Sequence, residues 1–175
     1  YLYKEPIKTH ISVCKLGDNR YICLLPTTGA RDKKDCILSL DNKSYLYNVR
    51  KGKYLGYSDK TKITLKPGIA TVISACPFKT SDISIRTIDS IKRGKKLSAV
   101  IKVNSGSDTS DKIIRLTVID PAGKEIREYS KNITAVHGLC DASVPFALND
   151  LSGKWTIKAT DITSGVSDEK FVELN

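Results

Sequence analysis

The sequence predicts an all-β chain made of two antiparallel β-sandwich domains, residues 1–79 and 80–175, the second of them Ig-like. Three observations carry that expectation. Apolar and polar residues alternate at every second place in stretches such as Ile114-Arg115-Leu116-Thr117-Val118-Ile119 and Trp155-Thr156-Ile157-Lys158-Ala159-Thr160, the period of a strand with one wet face. Clusters of Gly, Pro, Asn, Asp and Ser separate these stretches at short intervals, as turns do. The length of 175 residues is long for one Ig-sized sandwich and suits two modules of roughly 80–100 residues each.

In the first half, strands are expected at residues 11–16 and 21–25 around Gly17-Asp18-Asn19, at 36–40 before Asp41-Asn42, at 45–49 before Lys51-Gly52-Lys53, and at 62–65 and 69–75. The last two flank Lys66-Pro67-Gly68, where Pro presets φ at the first central position and Gly accepts the positive φ that a type II turn needs at the second. Cys76-Pro77 then ends the module, because Pro cannot donate to a ladder, and Phe78 is expected to be buried at the junction. In the second half, seven strands are expected at 83–88, 96–103, 112–119, 125–133, 142–148, 154–160 and 170–174, the number an Ig-like sandwich uses. Trp155, the one Trp, is expected to fill the core, where an indole removes roughly 200 Å² from water.

A hydrophobic share of 40% with 27% charged residues predicts a folded chain rather than a disordered one. No apolar run reaches the roughly 18–20 residues a membrane-spanning helix needs, and the first residues lack the plan of a signal peptide. The absence of Met and the aromatic opening Tyr1-Leu2-Tyr3 suggest the tail of a longer protein. Net charge is +10, and it is uneven: residues 1–79 hold 15 Lys and Arg against 6 Asp and Glu, residues 80–175 hold 14 against 13. Such asymmetry marks a surface for an anionic polymer, a solvated face, or the complement of an acidic domain.

The five cysteines, Cys14, Cys23, Cys36, Cys76 and Cys140, have no metal-ligand spacing. A two-residue turn at Asp18-Asn19 would set Cys14 directly opposite Cys23 in a non-hydrogen-bonded pair, close enough for a disulfide. The alternative is that both are small apolar side chains on one sheet face.

Few residues suggest catalysis. His10 and His137 lie in no nucleophile-elbow setting. Glycoside hydrolysis needs two carboxylates across a cleft, and the candidates Asp120, Asp141, Asp150 and Asp161 fall in turn-like segments, where Asp hydrogen-bonds its own backbone. No cofactor and no calcium loop is indicated. Basic clusters stand at Arg31-Asp32-Lys33-Lys34, Arg50-Lys51-Gly52-Lys53 and Lys92-Arg93-Gly94-Lys95-Lys96, with Tyr45, Tyr47, Tyr54 and Tyr57 near the second. Interleaved cations and aromatics suit a single-strand groove, but the clusters occupy separate loops and no RRM, KH or OB signature is present. Nucleic acid is therefore disfavoured. Tyr54 and Tyr57 remain as ligand-contacting candidates for a polysaccharide.

The stretch Tyr45-Leu46-Tyr47-Asn48-Val49-Arg50-Lys51-Gly52-Lys53-Tyr54-Leu55-Gly56, with Ile63-Thr64-Leu65-Lys66-Pro67-Gly68-Ile69-Ala70, resembles the C-terminal β-sandwich that closes many (β/α)8 glycoside hydrolases, β-galactosidase-like multidomain proteins above all. Residues 80–175 look like a following Ig-like or macroglobulin-like module, on Val118-Ile119-Asp120-Pro121-Ala122-Gly123-Lys124, Leu151-Ser152-Gly153-Lys154-Trp155-Thr156-Ile157 and Asp161-Ile162-Thr163-Ser164-Gly165. The resemblance implies a non-catalytic accessory region of a larger secreted, periplasmic or cell-envelope protein, partnered by the other domains of its parent chain. A catalytic barrel and its carboxylates are not in this sequence, so the resemblance assigns no catalytic residue. Binding of carbohydrate, or of an anionic polymer through the basic first domain, are the rival functions.

Overall fold

The computed structural model describes residues 8–27, 33–107 and 110–175; Arg31 and Asp32 of the first basic cluster lie outside them. The chain is all-β and antiparallel in sandwich-like arrangement, and it divides into two compact units, Tyr1–Phe78 and Lys79–Asn175.

The first unit contains β1 (Thr9–Leu16), β2 (Asn19–Pro26), β3 (Lys34–Asn48), a 3-10 turn (Val49–Lys51), β4 (Lys53–Leu65) and β5 (Thr71–Cys76). They form one five-stranded sheet in the order β1-β2-β5-β3-β4. Ile22 and Leu24 of β2 share a core cluster with Ile63 and Leu65 of β4, although β5 and β3 lie between them in the sheet. The sheet must therefore curl until its ends face each other, so both layers of this unit come from a single sheet. The bend has a local cause: the β3–β4 register shifts between Ser39 and Ser44, and bulges of this kind sharpen twist. Asp41-Asn42, expected as a turn, lies inside β3 at that irregularity.

The Lys66-Pro67-Gly68-Ile69 turn is present: the Ile69 N–H donates to the Lys66 carbonyl at 3.1 Å and Gly68 has φ +67°. The β1–β2 hairpin differs from expectation. Gly17, at φ +58°, takes the first central position of the turn, as glycine does in a type II′ hairpin, so the turn is Gly17-Asp18. Leu16 then pairs with Asn19, Cys14 faces Tyr21, and Cys23 faces Ser12. The two cysteines are diagonal rather than opposite, and both are free thiols, Cys14 exposed and Cys23 half-buried. Phe78, expected to be buried, is 37% exposed.

The second unit has two sheets. One is β11 (Leu139–Pro145), β8 (Lys96–Asn104), β6 (Asp82–Thr87); the other is β10 (Lys131–Ala135), β9 (Lys112–Ile119), β12 (Gly153–Asp161), β13 (Ser167–Leu174), β7 (Ser90–Ile91). The connections β8 to β9 and β11 to β12 pass from one sheet to the other, as in Ig-like sandwiches. The opening strand also changes sheets: β6 pairs antiparallel with β8, whereas β7 pairs parallel with β13. Alternation is regular on β8, β9 and β12, and their inward residues Leu97, Ile101, Ile114, Leu116, Val118, Trp155 and Ile157 form the core. Trp155 is 1% exposed, as its place in the sequence suggested.

The chain passes from β10 in one sheet to β11 in the other through a tight turn on His137 (φ +50°) and Gly138 (φ +76°), the paired positive φ of a type I′ turn, closed by the Leu139 N–H donating to the Val136 carbonyl at 2.9 Å. The Gly138 carbonyl accepts from the Val103 N–H at 2.8 Å, and a Cβ on Gly138 would come within 2.8 Å of the Val103 carbonyl oxygen. Gly138→Ala is expected to cost about 1–3 kcal/mol, since strain of the left-handed conformation adds to a clash with backbone that cannot swing aside. Chemical denaturation checks this; an unchanged midpoint would show that the turn relaxes freely.

Candidate functional site

Tyr54 and Tyr57 are three residues apart and would point to opposite faces of a regular strand. A second register shift on β3–β4 changes this. Leu46 pairs with Gly56 but Tyr47 pairs with Tyr54, leaving Leu55 as the extra residue, with Gly56 at φ +121°. The bulge brings both tyrosines to the face carrying Tyr45 and Tyr47. Tyr45 and Tyr57 stack with centroids 4.7 Å apart, Tyr47 and Tyr54 with centroids 5.2 Å apart. Such cross-strand aromatic pairs add about 0.5–1.5 kcal/mol beyond burial. Tyr47 is buried, while Tyr54 and Tyr57 remain 39% and 56% exposed.

A cleft of about 350 Å³ is lined by Asn48, Arg50, Lys51, Lys53, Lys62, Lys66 and neighbouring residues. Its cations are placed by backbone geometry. The Asn48 side chain accepts from the Lys51 N–H at 3.2 Å, opening the 3-10 turn, and Gly52 at φ +55° closes it. Four residues thus carry Arg50, Lys51 and Lys53 around a tight bend. Arg50 Nη1 donates to the Ala70 carbonyl at 3.2 Å, tying the bend to the segment before β5. Lys62 and Lys66 come from the far end of β4 and the Pro-Gly turn. Among the described residues no carboxylate lines the cleft. Asp35 stands beside it, ion-paired to Lys62 at 2.9 Å and accepting from Thr64 Oγ1 at 2.7 Å; the Thr64 hydrogen bond, then Lys62, hold its carboxyl below the usual range. Tyr54 and Tyr57 do not line this cleft. The cleft thus gathers the cations of the second basic cluster with none of the neighbouring tyrosines among its lining residues. Lys62 and Lys66 were not singled out in the sequence, where isolated lysines carry no signal of convergence.

Three of the four acidic candidates are engaged by their own fold. Asp120 accepts from the N–H groups of Ala122 and Lys124 at 2.9 and 2.8 Å. Asp150 accepts from Tyr129 Oη at 2.7 Å and the Ala147 N–H at 2.6 Å, and burial, then the Asp150 contact, raises the Tyr129 phenol. Asp161 is fully buried among hydroxyl and amide donors. Asp141 is not in a turn: it is an exposed residue of β11, opposite Val100. His10 is exposed on β1, and the His137 N–H donates to Asp111 Oδ1 at 3.2 Å. The Cys36 and Cys140 thiols are pushed up by burial and by Asp35 and Asp141 respectively, which favours the protonated, unreactive form. Among the described residues no group of three or more His, Cys, Asp or Glu could hold a metal ion, and no helix is long and apolar enough to cross a membrane.

No protein-family model matches the chain, and no curated protein matches it. Among solved structures it is similar to alpha-2-macroglobulin of E. coli in its native conformation, at 10% identity and a TM-score of 0.42, over 98% of this chain. The chain spans 17% of the length of that protein.

Proposed function

We propose that the chain is a non-catalytic accessory region, structural or interaction-forming, of a larger secreted or cell-envelope protein of glycoside-hydrolase-like type, with the other domains of that protein as its first partners. The observation that carries the reading is how the carboxylates are used. Asp120, Asp150 and Asp161 each accept at least two hydrogen bonds from their own fold, whereas acid–base work needs carboxyl groups aimed across a cleft at a ligand. The glycosidase-type parent is what the resemblance of the 45–56 stretch and the Pro67-Gly68 hairpin implies. Incubating the purified chain with aryl glycosides and soluble polysaccharides is expected to release no sugar; turnover that co-purifies with the chain overturns the reading.

A second reading, carbohydrate binding, is favoured by one observation: Tyr54 and Tyr57 expose ring surface on one sheet face. In affinity gels a neutral polysaccharide ligand would retard the wild type, and the Tyr54→Ala, Tyr57→Ala double variant would migrate as if no polysaccharide were present. Equal retardation of both would remove these tyrosines from any ligand site.

A further inference from the structure

We infer that the basic cleft at the end of β3–β4 binds an anionic saccharide, one bearing sulfate or phosphate esters. The inference rests on the accessory reading only in that the cleft holds its ligand and does not transform it. Among the described residues, the cationic residues Arg50, Lys51, Lys53, Lys62 and Lys66 line one concavity and no carboxylate does. Like charges gathered this way repel one another, and the arrangement is relieved by an anion. The Asp35 carboxylate is engaged by Lys62 and Thr64 on the flank, which leaves Arg50, Lys51, Lys53 and Lys66 uncompensated by it.

The geometry narrows the ligand. Arg50 gives one N–H to the Ala70 carbonyl, which orients the guanidinium while its other donors remain for a tetrahedral oxyanion, the bidentate role for which arginine is suited. A volume of about 350 Å³ lies at the small end of ligand sites, enough for a charged ester and part of the sugar that carries it. Asn48 and Thr71 add amide and hydroxyl groups to the wall, fitted to sugar hydroxyls. Bases would need aromatic platforms, and no aromatic residue is among the described residues lining the cleft, so nucleic acid is the poorer fit.

The test is isothermal titration of the whole chain with a size-defined heparin oligosaccharide, its desulfated counterpart, a phosphorylated mannan oligosaccharide and duplex DNA. At least one ester-bearing saccharide is expected to bind, with affinity falling as salt rises, and the tighter of the two names the ester. Arg50→Ala with Lys53→Ala is expected to lower that affinity at least tenfold, and Lys51→Ala alone, at an exposed position, to lower it less but measurably. Lys92→Ala with Lys96→Ala, which removes the same charge from the second unit, is expected to leave it unchanged. Equal losses for the two double variants, desulfated or DNA ligands binding as tightly, or no binding at all would each overturn the assignment. Degradation of the bound saccharide would instead overturn the non-catalytic reading and leave the site standing.

Discussion

Replacing Asp161 with alanine is expected to destabilise the second unit by about 3–4 kcal/mol, because the carboxylate is the shared acceptor of a buried knot. Its Oδ2 accepts from Thr80 Oγ1 at 3.1 Å and from Ser164 Oγ at 2.6 Å, and its Oδ1 accepts from the Thr163 N–H at 3.1 Å. Ser164 Oγ in turn accepts from the Val166 N–H at 3.2 Å. Asp161, Thr80, Thr163 and Ser164 are all buried, so water cannot replace the lost acceptor without opening the end of β12. Each orphaned donor costs about 1–3 kcal/mol, reduced where two of them can re-pair. Asp161→Asn keeps one acceptor oxygen and should lose about half as much. Trp155 is the sole Trp of the chain, so its fluorescence in a urea titration reports this unit. A lower midpoint at unchanged slope is the expected result; an alanine variant within about 0.5 kcal/mol of wild type would show that the knot contributes nothing net.

Trp155→Ala is expected to cost about 3–5 kcal/mol, the range for emptying a large aromatic site. The indole meets Phe146 edge-on at 5.0 Å and Tyr129 at 6.2 Å, while those two rings meet at 5.9 Å. Its Nε1 donates to the Leu151 carbonyl at 2.9 Å, so alanine both opens a cavity and orphans a carbonyl at the entry to β12. Trp155→Phe retains ring contact and loses the hydrogen bond, and about 1–2 kcal/mol is the corresponding expectation. Thermal unfolding followed by circular dichroism separates the two. A loss of 3 kcal/mol in a unit of this size lowers the midpoint by well over about 10 °C. Equal shifts for Phe and Ala would mean that the hydrogen bond, and not the packing, is what holds the strand.

The contrast between these residues and the candidate sites shows where sequence reasoning reaches. Trp155 and the inward residues of β9 were legible because burial on a strand follows a period of two within a single stretch. The Pro67-Gly68 turn was legible because both residues restrict their own φ. The segment 125–133, expected as one strand, is a strand only from Lys131. Ile126 donates to the Val118 carbonyl at 2.9 Å, the N–H groups of Tyr129 and Ser130 return to the Ile126 carbonyl, and Ser130 Oγ accepts from the Val118 N–H at 3.0 Å. A serine side chain thus takes the place of a ladder partner, and only Lys131–Ala135 forms β10.

The amino-acid sequence determined by itself the all-β class, the alternation that selects core residues, and the turns at which glycine or proline leaves few choices, because these depend on residues within a few places of one another. Tertiary structure alone decided the rest. The hairpin register that parts Cys14 from Cys23 shifted by one turn position. The bulge at Leu55 that brings Tyr54 and Tyr57 to one face is a shift in the register between β3 and β4. The cleft needs β3 and β4 to curl so that Arg50 and Lys53 meet Lys62 and Lys66 across one hollow. Pairing and curvature are settled by the balance of core burial over the whole sheet, and no local pattern encodes that balance.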